Sequence, residues 1–589
     1  MRMTVWAGMS ALACASAPLI APIAPSPSSG RDIIVQGQRA RPSNWREAET
    51  QHVIVLSDGP EREVTQIAHN LERLYFLMSV LLNRTDRTDD TTKLRVTLIG
   101  DAAEFQAMDL RNLRWQQGPF NEAFDIRRYY DPRPDGAVLA TTRIDQRIVL
   151  QRGVSVASAL QGLQLPGSGG QPGGAGGQIG QSGLFGLQSS ADLIRPINEE
   201  SVPLTAEGMI YAGFAQHYLT TFFPAAYPRW YLDGFGQLFS TLVVRGDTTM
   251  EYGRAPAGTT AVLHRFGNFA LADVFSEAYL TRPANKTRWT PVHAWMLTHF
   301  LFFSPTRSGQ FREYLKAVAR GTPSVEAAAV FGDQDVLAKE LRRYFFAKKP
   351  FERMTYPAGQ AGPPIVHRLS LGEAAFVKGR LELGSRVEVT TGPAVKQRDV
   401  WLRRLRTDAS KFPADEGAQI LLAEAECRSG NGVECHAAAD RALVVAPSSS
   451  NALMWSGVAM TQQAKTLPGS ERAAMLRKAR GTIARANRAD TEASAPLLAY
   501  YHSFADEGEP VPPIAIDGLT KALSAVPNAP TTRVTLGTEL SLVGRVSLAR
   551  STLMPVARGG YESPERASAI ALLATLPRPE PIAGNQRIF

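Results

Sequence analysis

The residue types best suited to chemistry lie in two short segments near the middle of the chain. Residues 211–218 contain His217, and residues 227–240 contain Asp233. An imidazole and a carboxylate can each bind a divalent metal ion or exchange a proton with a substrate. A tight zinc site needs three or four convergent ligands, so these two side chains alone would not hold the ion firmly.

Both segments resemble parts of the gluzincin superfamily of zinc metallopeptidases, especially its exported bacterial members with a mixed N-terminal lobe. One helix of that family carries H-E-x-x-H, and a later helix begins P-x-W-x-x-E-G-x-A-x-x-F. Four positions of the second motif are matched, by Pro228, Trp230, Gly234 and Phe239. Its alanine is replaced by Gly236. The resemblance extends more loosely over residues 44–345. It implies a helical lobe whose cleft is shaped by Trp230 and Gly234.

The zinc-binding motif itself is lost. In H-E-x-x-H the two histidines share one helix face and reach one Zn²⁺, while the glutamate takes a proton from the bound water. With His217 at the second histidine, Gly213 stands at the first and Phe214 at the glutamate. Asp233 stands at the third ligand, which is normally glutamate. The resemblance therefore implies a pseudo-peptidase with four vestigial metal-site positions, and we predict no catalytic residue, no bound metal and no cofactor.

The same residues allow other arrangements. His217 and Asp233 could pair by a hydrogen bond, or they could belong to an active hydrolase with a rewired site. A rewired metal site would recruit His264, His293 or His299, but these lie in segments rich in Trp, Phe and Leu, where a lone histidine is usually a core residue. Ser/His/Asp hydrolysis has no support, because the chain contains no G-x-S-x-G motif.

The chain opens with the features of a bacterial export signal. A short basic start precedes an apolar stretch over residues 5–17, which ends in the small-x-small pattern of a cleavage site. Because Pro18 disfavours cleavage directly after this pattern, we assign the signal peptide to residues 1–24. It predicts a periplasmic or secreted protein of the bacterial envelope. A lipoprotein with its lipid on Cys14 is the secondary alternative.

Composition narrows the class of protein and its partners. The 589 residues are 44% hydrophobic and 20% charged, which excludes collagen, a disordered tail and a polytopic membrane protein. The net charge is +9, but Lys and Arg are scattered without a long basic block or a nucleic-acid-binding motif. Beyond the leader, no apolar run reaches the roughly 20 residues of a membrane span. We predict no nucleic-acid partner and no membrane span.

The pattern of elements predicts an α+β protein. β-branched runs and an amphipathic helix over residues 61–82 indicate a small mixed lobe, which is followed by helical patterns. A later run of Gly, Gln and Ser lacks the lysine of a phosphate-binding loop and is typical of a flexible insertion. The predicted order is signal peptide 1–24, linker 25–43, mixed α/β lobe 44–161, Gly-rich insertion loop 162–200, helical lobe 201–349, connector 350–395 and helical-repeat domain 396–589.

Individual elements can also be predicted in both lobes. The mixed lobe should contain four strands, of which the last two form an antiparallel pair: 52–57, 94–99, 137–142 and 147–151. The helical lobe should contain six helices: 205–223, 229–244, 291–303, 309–320, 324–331 and 334–345. The connector should be irregular, with some strand character.

The C-terminal domain shows an internal period. Between residues 417 and 447, small residues recur and a proline follows, with a spacing that resembles a tetratricopeptide (TPR) repeat of two closely packed antiparallel helices. Weaker echoes at 479–490 and 519–544 indicate two or three degenerate repeats. The alternative is a set of Ala-rich helical hairpins of no particular family. TPR-like repeats would supply a concave surface for a protein or peptide partner.

Two cysteines follow the leader, Cys427 and Cys435, on either side of the predicted turn of the first hairpin. Two helices that meet at such a turn can bring the Cα atoms within the ~4.4–6.8 Å that a disulfide requires. An oxidising compartment would favour the bond, so we predict a disulfide, with two buried free thiols as the alternative. A metal site is disfavoured because His436 alone adds too few ligands.

These observations predict an exported, non-catalytic protein that acts as a protein- or peptide-binding or scaffold module. An active hydrolase around His217 and Asp233 is the alternative, and it would lose a measurable turnover when either residue is changed. A third hypothesis is an envelope assembly factor, for which the repeats alone would suffice.

Overall fold

The structure is a computed structural model, and it describes residues 42–84, 91–100, 102–108, 110, 128–143, 205–246, 248–256, 271–281, 290–357, 359–360, 362–386, 393–560 and 564–577. The described residues belong to one compact unit, Pro42–Phe589. Several predicted features lie outside the described residues: the signal peptide with Cys14, the Gly-rich insertion loop, the strand over 147–151 and His264.

Nine strands in the described segments form two sheets: β1 (Pro42–Glu49), β2 (Val53–Ser57), β3 (Leu94–Ile99), β4 (Arg128–Arg133), β5 (Gly136–Thr142), β6 (Val243–Arg245), β7 (Thr249–Tyr252), β8 (Glu352–Thr355) and β9 (Ile365–Ser370). The larger sheet has the order β4-β5-β3-β2-β1-β9. Its central strands β2, β3 and β5 are parallel, and the remaining neighbours are antiparallel. The predicted strands over 52–57, 94–99 and 137–142 are confirmed, and β4 is the antiparallel neighbour of the third.

The described α-helices of the first 350 residues are α1 (Glu61–Leu81), α2 (Ala102–Ala107), α3 (Ala206–Phe222), α4 (Arg229–Phe239), α5 (Leu271–Phe275), α6 (Thr290–Phe303), α7 (Ser308–Ala319), α8 (Ser324–Ala327) and α9 (Gln334–Phe346). The sequence predicted all of them except the short helices α2 and α5, and the helix expected over 324–331 continues beyond α8 as a 3₁₀ helix over Ala328–Phe331. One prediction is wrong in its end point. The helix expected over 229–244 stops at Phe239, because Val243 begins β6 and pairs with Glu251 of β7.

Eleven further helices are described after residue 370: α10 (Leu371–Arg386), α11 (Pro393–Ser410), α12 (Glu416–Arg428), α13 (Gly432–Val445), α14 (Ser450–Ala464), α15 (Gly469–Ala489), α16 (Ser494–Ala505), α17 (Pro513–Ala525), α18 (Pro530–Leu542), α19 (Val546–Ala557) and α20 (Pro564–Thr575). From α12 onward, consecutive helices pack as hairpins. The segment expected as an irregular connector has the predicted strand character in β8 and β9, but it also contains α10. In the described segments, no helix has the length and apolar character needed to cross a bilayer.

The larger sheet is covered on both faces, which places it at the centre of the first lobe, the part of the chain that precedes the helical hairpins. One face packs against α1 and α3, whose apolar side chains share a core with Val55, Val96 and Leu139. The other face packs against α2 and α10, where Phe105 and Leu381 join Val138. The α+β class predicted from the sequence is therefore confirmed.

The helical hairpins have an inner and an outer layer. The first helices α12, α14 and α18 are buried on more than one side. The second helices bury only one stripe of mostly small residues; in α17 this stripe is Ala515, Leu519, Ala522 and Ala525. Alanine at this spacing lets the two helix axes approach closely, and it leaves the other sides of α13, α15 and α17 in solvent.

A disulfide joins Cys427 in the last turn of α12 to Cys435 in the first turn of α13, as predicted. The two Cα atoms are 5.1 Å apart. Both sulfur atoms lie within 3.8 Å of the carbonyl oxygen of Trp455 in α14. The bond therefore closes the first hairpin at the point where the next hairpin packs on it.

Candidate functional site

The helix α3 carries the histidine singled out by the sequence, and it is buried on almost every side. Thr205 caps its N-terminus by accepting a hydrogen bond from the backbone N–H of Gly208. Gly213 lies where α3 crosses the sheet. A Cβ atom there would be 2.8 Å from Leu139 Cδ1 and 3.1 Å from Arg128 Cδ. Position 213, at which the gluzincin motif has its first histidine, therefore has no room for an imidazole.

Phe214 and His217 lie together in the interior, with ring centroids 6.4 Å apart. Only 9% of His217 is exposed. The hydroxyl of Tyr130 on β4 forms a hydrogen bond with its Nδ1 atom over 2.8 Å, and Thr221 Oγ1 lies 3.4 Å from the same atom. Burial lowers the pKa of His217 to about 3, so the imidazole is neutral at physiological pH.

The last contact of this cluster comes from the other end of the chain. Asn528, in the turn between α17 and α18, donates from Nδ2 to the Tyr130 hydroxyl over 2.5 Å. The same Nδ2 atom lies 3.3 Å from His217 Nδ1. Asn528 is 311 positions from His217, so neither spacing nor periodicity in the sequence connects the two residues. Sequence analysis missed both Asn528 and Tyr130.

Asp233 is held away from this cluster. Its Oδ2 atom accepts a hydrogen bond from Nε of Arg229, one turn earlier on α4, over 2.6 Å. The backbone N–H of Arg229 in turn donates to the Glu277 carboxylate. The hydrogen bond between His217 and Asp233 that the sequence suggested is not formed, since the partners of His217 are Tyr130, Thr221 and Asn528.

Trp230 and Gly234 have clear roles in the packing of α4. Trp230 is fully buried, and its ring centroid lies 5.8 Å from Phe275 and 5.7 Å from Tyr314. A Cβ atom on Gly234 would be 2.5 Å from the carbonyl oxygen of Ala294. Glycine there therefore permits the close approach of α4 and α6.

The alternative histidine ligands are core residues, as far as the structure describes them. Both ring nitrogens of the buried His299 are engaged, Nδ1 with the Tyr344 hydroxyl at 2.8 Å and Nε2 with the Gly253 carbonyl at 2.7 Å. Burial lowers the pKa of His293 and of His299 to about 4. Among the described residues, no three His, Cys, Asp or Glu side chains cluster as a metal site would require.

A second set of contacts holds α10, which covers one face of the larger sheet, against the turn between β4 and β5. Arg133 donates to the backbone carbonyls of Arg380 and Leu381 in α10, and it forms a buried ion pair with Asp131 at 2.6 Å. Asp135 pairs with Arg380 at 2.7 Å. Burial alone would raise the pKa of Asp135, but the surrounding arginines hold it well below its usual range.

The turn between β4 and β5 also contacts a helical hairpin, because Ser494 at the start of α16 donates to the Pro134 carbonyl over 2.7 Å. Near the end of α17, the backbone N–H of Thr92 donates to the Ala525 carbonyl over 2.9 Å. Helices α16 and α17 thus contact the chain's own first lobe, and that side of the array is partly covered.

Among solved structures, a TPR protein is similar to part of this chain. No family model and no curated protein matches the chain. The solved structure is that of a thermophilic TPR protein from Thermus thermophilus, with 19% sequence identity and a TM-score of 0.27. The match covers 31% of this chain and 93% of that chain.

Proposed function

We propose that this chain is an exported, non-catalytic scaffold protein. In this proposal a lobe that resembles a gluzincin peptidase holds a series of TPR-like helical hairpins, and the hairpins bind a protein or peptide partner. The observation that carries the proposal is the contact of Asn528 with Tyr130 and His217. Through this contact His217, the histidine that remains of the H-E-x-x-H motif, joins the repeats to the lobe.

Three features of the lobe favour binding over catalysis. Position 213 has no space for a side chain, the buried imidazole of His217 is neutral, and Asp233 is bound to Arg229. These residues do not fit a zinc ion of the gluzincin type, which needs two histidines on one helix face and a free carboxylate. An active hydrolase would need His217 and Asp233 to act together, but their hydrogen bonds go to different partners.

The outer layer of hairpins offers the surface for a partner. Four exposed cations follow the solvent side of α15, and none has an ion-pair partner among the described residues: Arg477, Lys478, Arg485 and Arg488. Exposed apolar side chains lie on the other second helices, with Val444 of α13 83% exposed and Ile514 of α17 69% exposed. An outer layer with exposed cations and exposed apolar side chains complements an acidic segment that also carries apolar residues.

Affinity capture from an envelope extract tests this proposal. Full-length wild-type protein should retain a partner that the double variant Arg477→Glu and Arg485→Glu loses, because the charge of α15 is reversed. The matched control is Arg312→Glu with Arg320→Glu, which makes the same charge change at exposed positions in α7 and directly after its last residue. If all three proteins capture the same set, the α15 surface is not the binding surface.

A further inference from the structure

A cavity of about 100 Å³ lies where the helical lobe meets the last hairpins. Its walls are mostly apolar and come from both parts of the chain: Pro132, Pro224, Leu232, Pro530, Pro555 and Val556. Four polar side chains also line it, namely Thr220 and Tyr227 from the lobe and Asn528 and Arg533 from the repeats. The cavity adjoins the interface that Asn528 forms with Tyr130.

Arg533 is an unusual residue for this location. It is only 6% exposed, and it stands in the first turn of α18, where the helix dipole disfavours a positive charge. Its Nε donates to the Pro527 carbonyl over 2.7 Å and its Nη1 to the Thr552 carbonyl over 3.1 Å. In the described residues, Nη2 has no acceptor and no carboxylate pairs with the guanidinium. Burial lowers the pKa of Arg533 to about 10.

Tyr227 adds a second donor from the lobe. Its side chain is 7% exposed and lines the same cavity. Its hydroxyl has no hydrogen-bond partner within the described part of the chain, although its ring packs 5.3 Å from that of Tyr231. A buried polar group without a partner costs free energy, and a buried cation without a counter-charge costs more. Tyr227 and Arg533 therefore each bring a donor that has no acceptor among the described residues to the lining of the same small cavity.

We propose that this cavity binds a carboxylate carried on a small apolar group. A guanidinium and a hydroxyl match the oxygen atoms of a carboxylate, and charge-assisted hydrogen bonds of this kind are the strong ones. A volume near 100 Å³ is that of about three water molecules, which suits a short-chain acid or the last residue of a polypeptide. The proline, leucine and valine walls accept the apolar part. This site does not depend on a partner at α15.

Calorimetric titration of the full-length protein tests the site with three probes: sodium propionate, a pentapeptide that ends in alanine, and the same peptide with an amidated C-terminus. Saturable binding of propionate alone identifies a free acid as the ligand. Tighter binding of the free-acid peptide, with no binding of its amide, identifies a chain terminus. Both results support the proposal, and equal binding of the acid and amide peptides overturns it.

Variants of Arg533 and Tyr227 test whether binding depends on these two donors. Arg533→Gln should weaken binding by at least about tenfold, which corresponds to the loss of one charge-assisted hydrogen bond. Tyr227→Phe should weaken it severalfold and leave the fold intact, because the hydroxyl has no partner to lose. Arg550→Gln is the matched control, since Arg550 also donates to backbone carbonyls of the last hairpins but does not line the cavity. Wild-type affinity in both Tyr227→Phe and Arg533→Gln, or no saturable binding by the wild type, overturns the proposal.

Discussion

Position 213 of α3 lies so close to the sheet that glycine is the residue that fits there. A Cβ atom there would contact Leu139 at 2.8 Å, so Gly213→Ala should destabilise the protein by about 1–3 kcal/mol through overpacking. Gly481 in α15 is the matched control, because nothing lies within 4 Å of its Cβ position. Gly481→Ala should stabilise by about 0.5–1 kcal/mol, since alanine is the better helix former. Urea unfolding measures both, and equal stability of Gly213→Ala and wild type would refute the packing argument.

The buried imidazole of His217 predicts a specific pH dependence of stability. Its pKa of about 3 lies below the ordinary 6.5, so the unfolded chain takes up the proton first as the pH falls. The contribution of His217 to stability is complete above pH 6.5 and declines as the pH falls toward 3. His217→Gln should therefore show a shallower loss of unfolding free energy over this range. His293 and His299 contribute in both proteins, so parallel pH profiles would contradict the prediction.

At the scale of elements, the disulfide ties α12 to α13 at their shared turn. The closed loop is short, with a sequence separation of 8, so replacing both cysteines by alanine should cost about 2–3 kcal/mol. Hydrogen exchange should increase in α12 and α13 and stay unchanged in α18 and α19, which serve as the internal control. Free thiols at both Cys427 and Cys435 of the untreated protein would show that the bond does not form in solution.

Local patterns predicted most elements but not those fixed by distant contacts. The apolar spacing of α1 and α3 and the β-branched runs of β2 and β3 are local signals. The end of α4 depends on Val243 pairing with β7, and α10 buries Glu382 because Trp401 and Arg404 bind it. In the site, the motif located the helix of His217, whereas Tyr130 and Asn528 meet it only through the tertiary fold.

At the scale of the whole molecule, the turn between β4 and β5 is held to α10 by Arg133 and to the hairpins by Ser494 of α16. Arg133→Met should destabilise the protein by about 3–5 kcal/mol, because Asp131 would remain buried without its counter-charge. Replacing Asp131 by asparagine in the same chain should recover part of this loss. Denaturant unfolding of the single and double variants checks the prediction, and additive losses would contradict it.

The central claim is that the remaining histidine of a peptidase-like motif joins the repeats to the lobe and holds no metal. Its most direct test is the zinc content of full-length, tag-free protein, measured by mass spectrometry of the metal. We expect well below one zinc per chain, with no change in His217→Ala. One zinc per chain that is lost in both His217→Ala and Asp233→Ala would contradict the account.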